Sequence, residues 1–207
     1  MFKFITQDIK VTDRYRLSIK IVNGTQSFDD LDMSRLVICN GKITGDSISG
    51  KGTLTASLTQ KFIVEGHAAV IELTGYCMAE EMLARINPVS PGNLSYIDGC
   101  SNSCVVPAPR NGDPCLNYLY FPPGVDQTFH THPSIRIGMV LSGTGYADVD
   151  DQTFELSAGK IFLLDRFALH RFRTTNSSMS LVAFHPDSED GPKDEVNPMI
   201  SRTYLSK

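Results

Sequence analysis

The sequence predicts a mainly β protein whose C-terminal half closes into a barrel of the jelly-roll kind, with a further β region before it. Three observations predict it. Apolar and polar residues alternate in run after run, the period of a half-buried strand. The runs are short, and Gly, Pro, Asn and Asp stand between them, so the chain reverses often. Only one stretch, 77–86, spaces its apolar residues as a helix does, which speaks against strands alternating with helices in a parallel sheet.

In chain order, Arg16-Leu17-Ser18-Ile19-Lys20-Ile21 alternates as the first strand. Leu36-Val37-Ile38-Cys39 and Lys42-Ile43-Thr44 flank Asn40-Gly41, a pair suited to a two-residue hairpin because its type I′ turn needs positive φ at both central residues. Gly45, Gly50 and Lys51 are spaced like the start of a phosphate-binding loop. Gly52, however, stands where the magnesium-binding hydroxyl belongs, and 53–58 alternates as a strand instead of opening a helix. The segment therefore reads as a Gly/Ser hairpin turn. Residues 69–73 form another apolar run, and Met78, Met82, Leu83 and Ile86 predict one helix over 77–86. From 87 to 114 Pro, Gly, Ser and Asn crowd the chain without a period, as in a long loop or linker. It divides an N-terminal β-rich region, 1–110, from a barrel with a C-terminal tail, 111–207. Strands are expected at 116–121, 129–132, 135–141, 145–149, 153–156, 160–164, 169–174 and 180–184, and their close spacing suits a closed sheet.

The 207 residues suffice for one large β domain or two small ones. With 41% apolar and 20% charged residues the composition is that of an ordinary globular protein, not of a disordered, collagen-like or coiled-coil chain. The 19 Lys+Arg against 23 Asp+Glu include no basic run, so no nucleic-acid partner is expected. No apolar stretch approaches the length that spans a bilayer, and charge interrupts the first eight residues too soon for a secretory core, so no membrane partner is expected either. Five cysteines, an odd number without a leader, suggest reduced thiols and a cytoplasmic location. Cys100, Cys104 and Cys115 lie close together, but their spacing matches no strong zinc pattern, and they read as free or buried thiols.

The chemistry concentrates in the histidines. His130-Thr131-His132 on a strand would send both imidazoles to one face, the beginning of a site for Zn, Fe, Ni, Cu or Mn. A third ligand must come from another strand, and His170 in Leu169-His170-Arg171-Phe172 is the candidate. These residues sit in a longer pattern. Gly124, His130, His132, Arg136 and Gly143 have the spacing of the first cupin motif, Gly-x5-His-x-His-x3-Glu-x6-Gly. Gly159 and His170 have that of the second, Gly-x5-Pro-x-Gly-x2-His-x3-Asn. Residues 115–186 thus resemble a cupin barrel. The departures are Arg136 for Glu, Asp165 for Pro, Phe167 for Gly and Thr174 for Asn.

Arginine stays protonated and offers no lone pair to a cation. The resemblance therefore implies a three-histidine metal site of His130, His132 and His170, similar to cysteine dioxygenase and the acetylacetone-cleaving dioxygenases among cupins. Three neutral ligands leave an ion its full charge and open positions for water, dioxygen or a chelating substrate. By the same resemblance the protein is expected to be a metal-dependent enzyme acting on a small anionic or chelating organic molecule, with an Fe(II) dioxygenase foremost. A non-redox lyase or isomerase using Zn, Mn or Ni stands beside it, as does a ligand-binding or sensor cupin without turnover. A homodimer is also implied. Arg136 has two readings: it reaches into the barrel as a catalytic anchor for a substrate anion, or it swings to the rim to pair with Asp165 or Asp126. His67 reads as a turn or core residue, His185 as structural or rim, Tyr118 and Tyr120 as packing, and Gln127 and Phe129 as residues shaping the mouth.

Overall fold

The computed structural model describes residues 1–12, 15–31, 33–76, 81–110 and 112–187. In chain order the strands are β1 (Phe2–Phe4), β2 (Ile9–Val11), β3 (Leu17–Phe28), β4 (Ser34–Gly45), β5 (Ser49–Leu58), β6 (Phe62–Leu73), β7 (Met82–Arg85), β8 (Leu94–Ser95), β9 (Ser101–Val106), β10 (Cys115–Phe121), β11 (Arg136–Val149), β12 (Gln152–Ser157), β13 (Ile161–Leu164), β14 (His170–Arg173) and β15 (Met179–His185). They form two antiparallel sheets. The first runs β2-β3-β6-β4-β5-β7; the second runs β1-β13-β11-β15-β10-β9-β8, with β12 and β14 also paired to β11. The fold is mainly β, as predicted. The second sheet also takes in β1, β8 and β9, whose residues precede 110 in the chain.

Period-two burial assigns the faces. Leu17, Ile19, Leu36, Ile38 and Ile71 of the first sheet share a core with Leu116, Tyr118, Ile137, Met139, Val182 and Phe184 of the second, so the sheets pack face to face. The barrel's own core holds Phe121, Val149, Leu156, Phe162, Phe172 and Leu181. The buried Arg35 reaches Glu72 at 3.2 Å while Ser18 donates to the same carboxylate at 2.8 Å, tying β3, β6 and β4 in register.

Asn40-Gly41 makes no hairpin. β4 runs through it unbroken, and Gly41 pairs with Gly66 on one side and Gly52 on the other, while Gly66 pairs with Gly24. Four glycines thus line up across β3, β6, β4 and β5. A Cβ on Gly41 would lie 1.9 Å from the Glu65 carbonyl oxygen, so its missing side chain serves close strand approach instead of a turn. Beyond this row Phe28, Ile43 and Phe62 join Val37, Leu54 and Val70 in one buried cluster. The reversal comes at 46–48, closed by a hydrogen bond from Gly45 N–H to Ile48 O at 2.8 Å. The segment resembling a phosphate-binding loop is this hairpin turn, as expected.

The helix expected over 77–86 is not formed within the described part of that stretch. Met82–Arg85 is β7, paired with the open edge of β5, and 77–80 lies outside the described residues. Helical spacing is imitated because Leu83 packs on the cluster of Phe28, Ile43 and Phe62 while Ile86 turns into the core between the sheets. The 87–114 segment contains a strand that its polar composition conceals: β9 pairs with β10 and buries only Val106.

Candidate metal centre

The ligand-bearing segments are fixed by backbone bonds. His130 and His170 exchange both main-chain hydrogen bonds at 2.9 Å, an isolated bridge that clamps the loop before β11 onto β14. The 129–132 strand is otherwise absent: His130 and His132 lie on a loop, and that bridge, not strand parity, directs them. Asp98 holds the loop from outside, accepting the Thr128 N–H at 2.7 Å. Phe167 N–H donates to the His132 carbonyl at 2.7 Å, so the turn before β14 grips the second ligand.

The three imidazoles converge. Ring centroids lie 4.4 Å (His130–His170), 5.0 Å (His132–His170) and 5.2 Å (His130–His132) apart, and one nitrogen from each falls within 4.8 Å of the others. Nδ1 of His130 and of His170 lie 2.8 Å from the carbonyls of Thr128 and Ala168. A carbonyl only accepts, so both Nδ1 atoms carry the proton and Nε2 presents its lone pair. Nε2 of His170 is buried and has no hydrogen-bond partner among the described residues. Burial pushes the His170 pKa down to about 4, the bond to Ala168 opposing and the charges of His130 and Arg136 adding to the fall. His170 is therefore neutral near pH 7, and a bare imidazole nitrogen in a dry site suits a cation.

The triad lines one end of a partly enclosed cavity. Phe121, Phe162, Phe172 and Leu181 make an apolar floor; Asn102, Asn117, Gln127, Arg136 and His185 supply polar groups. No carboxylate is among the described residues lining it. Arg136 takes neither of its expected rim partners: Asp165 faces the Met1 amino group at 3.7 Å, and Asp126 pairs with Arg171 at 2.7 Å. It is instead 5% exposed, lines the cavity, and donates through Nη1 to Ser134 Oγ at 2.5 Å and Ile135 O at 3.0 Å.

The departures from the motif have local explanations. Phe167 holds φ at 58°, the conformation glycine would serve at that place. Thr174 Oγ1 donates to Pro122 O at 2.5 Å and accepts Val125 N–H at 3.0 Å, pinning the loop that leads to the ligands. Gln127 braces the same loop, accepting Phe172 N–H at 3.1 Å. Phe129 lies beneath the Arg171 guanidinium in an outer groove and does not line the cavity. Tyr118 packs between the sheets as expected. His67 lies 2.6 Å from Asn23 Oδ1 and 2.7 Å from the Gly159 carbonyl, joining the first sheet to a barrel turn. His185, read as structural or rim, is buried and lines the cavity beside Asn117 at 3.4 Å. Its signal was the shared parity with Leu181 and Ala183; that of Asn117 was its parity with Leu119 and Phe121.

Residues 117–185 match the family model of the cupin domain. This segment is a cupin domain. The likeness of fold extends beyond it. The cupin 2 conserved barrel domain protein from Leptotrichia buccalis is 14% identical, covering 89% of each chain with a TM-score of 0.57. A putative glyoxylate-induced protein from Pseudomonas aeruginosa is 14% identical over 90% of this chain and 80% of its own, with a TM-score of 0.65. Salicylate 1,2-dioxygenase from Pseudaminobacter salicylatoxidans is 9% identical over 83% of this chain and 70% of its own, with a TM-score of 0.56. At such identities the likeness is one of fold. No curated protein matches the chain in sequence.

Proposed function

We propose that the cupin barrel holds one divalent transition metal on His130, His132 and His170 and acts on a small anionic or chelating organic molecule, with an Fe(II) dioxygenase-like reaction foremost. The observation that carries this reading is the buried, unbonded Nε2 of His170 meeting two further imidazoles at the cavity end. A bound ion supplies Lewis acidity, and iron adds one-electron chemistry with dioxygen. The chain's own residues do the remainder. Imidazole binds an ion through a lone pair and adds no charge of its own, so a bound ion keeps its full positive charge for the substrate to meet. Arg136 anchors the anionic group of the substrate, in a wall where no described carboxylate competes. Phe121, Phe162 and Phe172 receive its apolar part and exclude water. The distant fold likeness to salicylate 1,2-dioxygenase is in keeping with this reading.

The test begins with elemental analysis of protein purified without chelator. About one transition-metal ion per chain is expected, lost in His132→Ala and His170→Ala while circular dichroism stays unchanged. Oxygen uptake by the iron-loaded protein is then measured with candidate thiols, diketones and organic acids. Protein that takes up no transition metal sinks the proposal; loaded protein that consumes no oxygen with any of them removes the dioxygenase.

A further inference from the structure

The cavity arginine is held by a chain of groups that starts outside the barrel. Ser134 is 1% exposed, and its hydroxyl accepts from Arg136 Nη1 at 2.5 Å while donating to Asp187 Oδ1 at 2.5 Å. Tyr15 reaches the other oxygen of that carboxylate, Oδ2, at 3.4 Å. The Ser134 carbonyl accepts a further bond from Nη1 at 3.3 Å. A hydroxyl whose proton is drawn toward a carboxylate is a better acceptor for a guanidinium, and both bonds are of the charge-assisted kind. The burial of Arg136 requires such compensation. Asp187, which accepts from the Ser134 hydroxyl, lies just after β15.

We propose that Ser134 and Asp187 are positioning residues for Arg136: they fix the guanidinium at the cavity wall, and Tyr15 fastens Asp187, so Tyr15 and Asp187 are parts of the anion subsite. The inference rests on the reading of Arg136 as the substrate anchor. It assigns Tyr15, which lies between β2 and β3, a part in binding.

Cobalt(II)-loaded full-length protein supplies the test, read by the visible absorption of the ion. It is titrated with azide, which needs only the ion, and with oxalate, malonate and succinate, which carry a second carboxylate toward Arg136. The best-fitting dicarboxylate is expected to lose affinity in Arg136→Gln. Ser134→Ala and Asp187→Asn are expected to weaken it about tenfold as well, with cobalt content and azide affinity unchanged. Ser134→Thr, which keeps the hydroxyl, restores the wild-type value. If Arg136→Gln weakens the dicarboxylate and neither Ser134→Ala nor Asp187→Asn does, the positioning role is overturned while the anchor stands. If Arg136→Gln changes nothing, or no cobalt binds, the anchor reading falls and takes this inference with it. Should Ser134→Ala fail to fold, Asp187→Asn decides the matter by itself.

Discussion

Phe167 keeps a glycine's backbone, with φ of 58°, and leaves its ring 62% exposed. A left-handed conformation costs an L-residue about 1–2 kcal/mol, and little packing offsets that here. Phe167→Gly is therefore expected to raise stability by up to about 1 kcal/mol, the greater freedom of unfolded glycine reducing the gain. Urea titration reads this, and metal content should not change, since glycine keeps the N–H that bonds the His132 carbonyl. Asp148 makes a second single-residue prediction. Its carboxylate accepts from Arg173 Nε at 2.8 Å, Arg171 Nε at 3.0 Å and Thr153 Oγ1 at 2.7 Å. The bond from Arg173, above all, lowers its pKa from 3.8 to about 2, against desolvation. A pKa depressed in the folded state contributes stability that is fully present above pH 4 and disappears as the pH falls toward 2. Asp148→Asn should flatten the acid limb of the stability profile between those values. The triad itself was legible, because motif spacing survives where single residues change. The direction of Arg136 was not, since it depends on Ser134 and Asp187, neither of which the spacing singles out.

Among the elements, the glycine row across β3, β6, β4 and β5 yields an internal comparison. Gly41→Ala drives a Cβ into backbone and should cost about 3 kcal/mol or prevent folding, whereas Gly24→Ala meets nothing within 4 Å and incurs only the strain of φ at 117°. Denaturant midpoints for the two variants would separate them; equal losses would mean that close approach is not what requires glycine at position 41. The same row explains why local sequence misled. Asn40-Gly41 carries every residue preference of a hairpin, and only the neighbouring Gly66 strand reveals that close approach is the use made of it. β3, with Leu17 and Ile19 buried and Ser18 and Lys20 less so, announced itself by period, and β15, buried throughout, by its apolar run. β7 and β9 did not, because they are held by edge pairing and bury little, and pairing partners leave no trace within their own residues.

For the molecule as a whole, ion binding and folding should be linked. The ligands come from the loop before β11 and from β14, which are brought together only in the folded barrel. A metal that binds only the folded state stabilises it by about 2.7 kcal/mol at a hundred times its dissociation constant. The melting temperature should therefore rise with added metal and fall with chelator, and His170→Ala should abolish both responses. The topology also bears on how the chain is made. β2 to β7 exchange partners within the first 85 residues, so that sheet can assemble while the ribosome is still adding the rest. β1, which emerges before any of them, pairs with β13, Phe2 lying opposite Leu164. β1 must wait for β13, and a nascent polypeptide halted short of β13 would hold a finished sheet beside an unpaired, phenylalanine-rich strand, a target for chaperones.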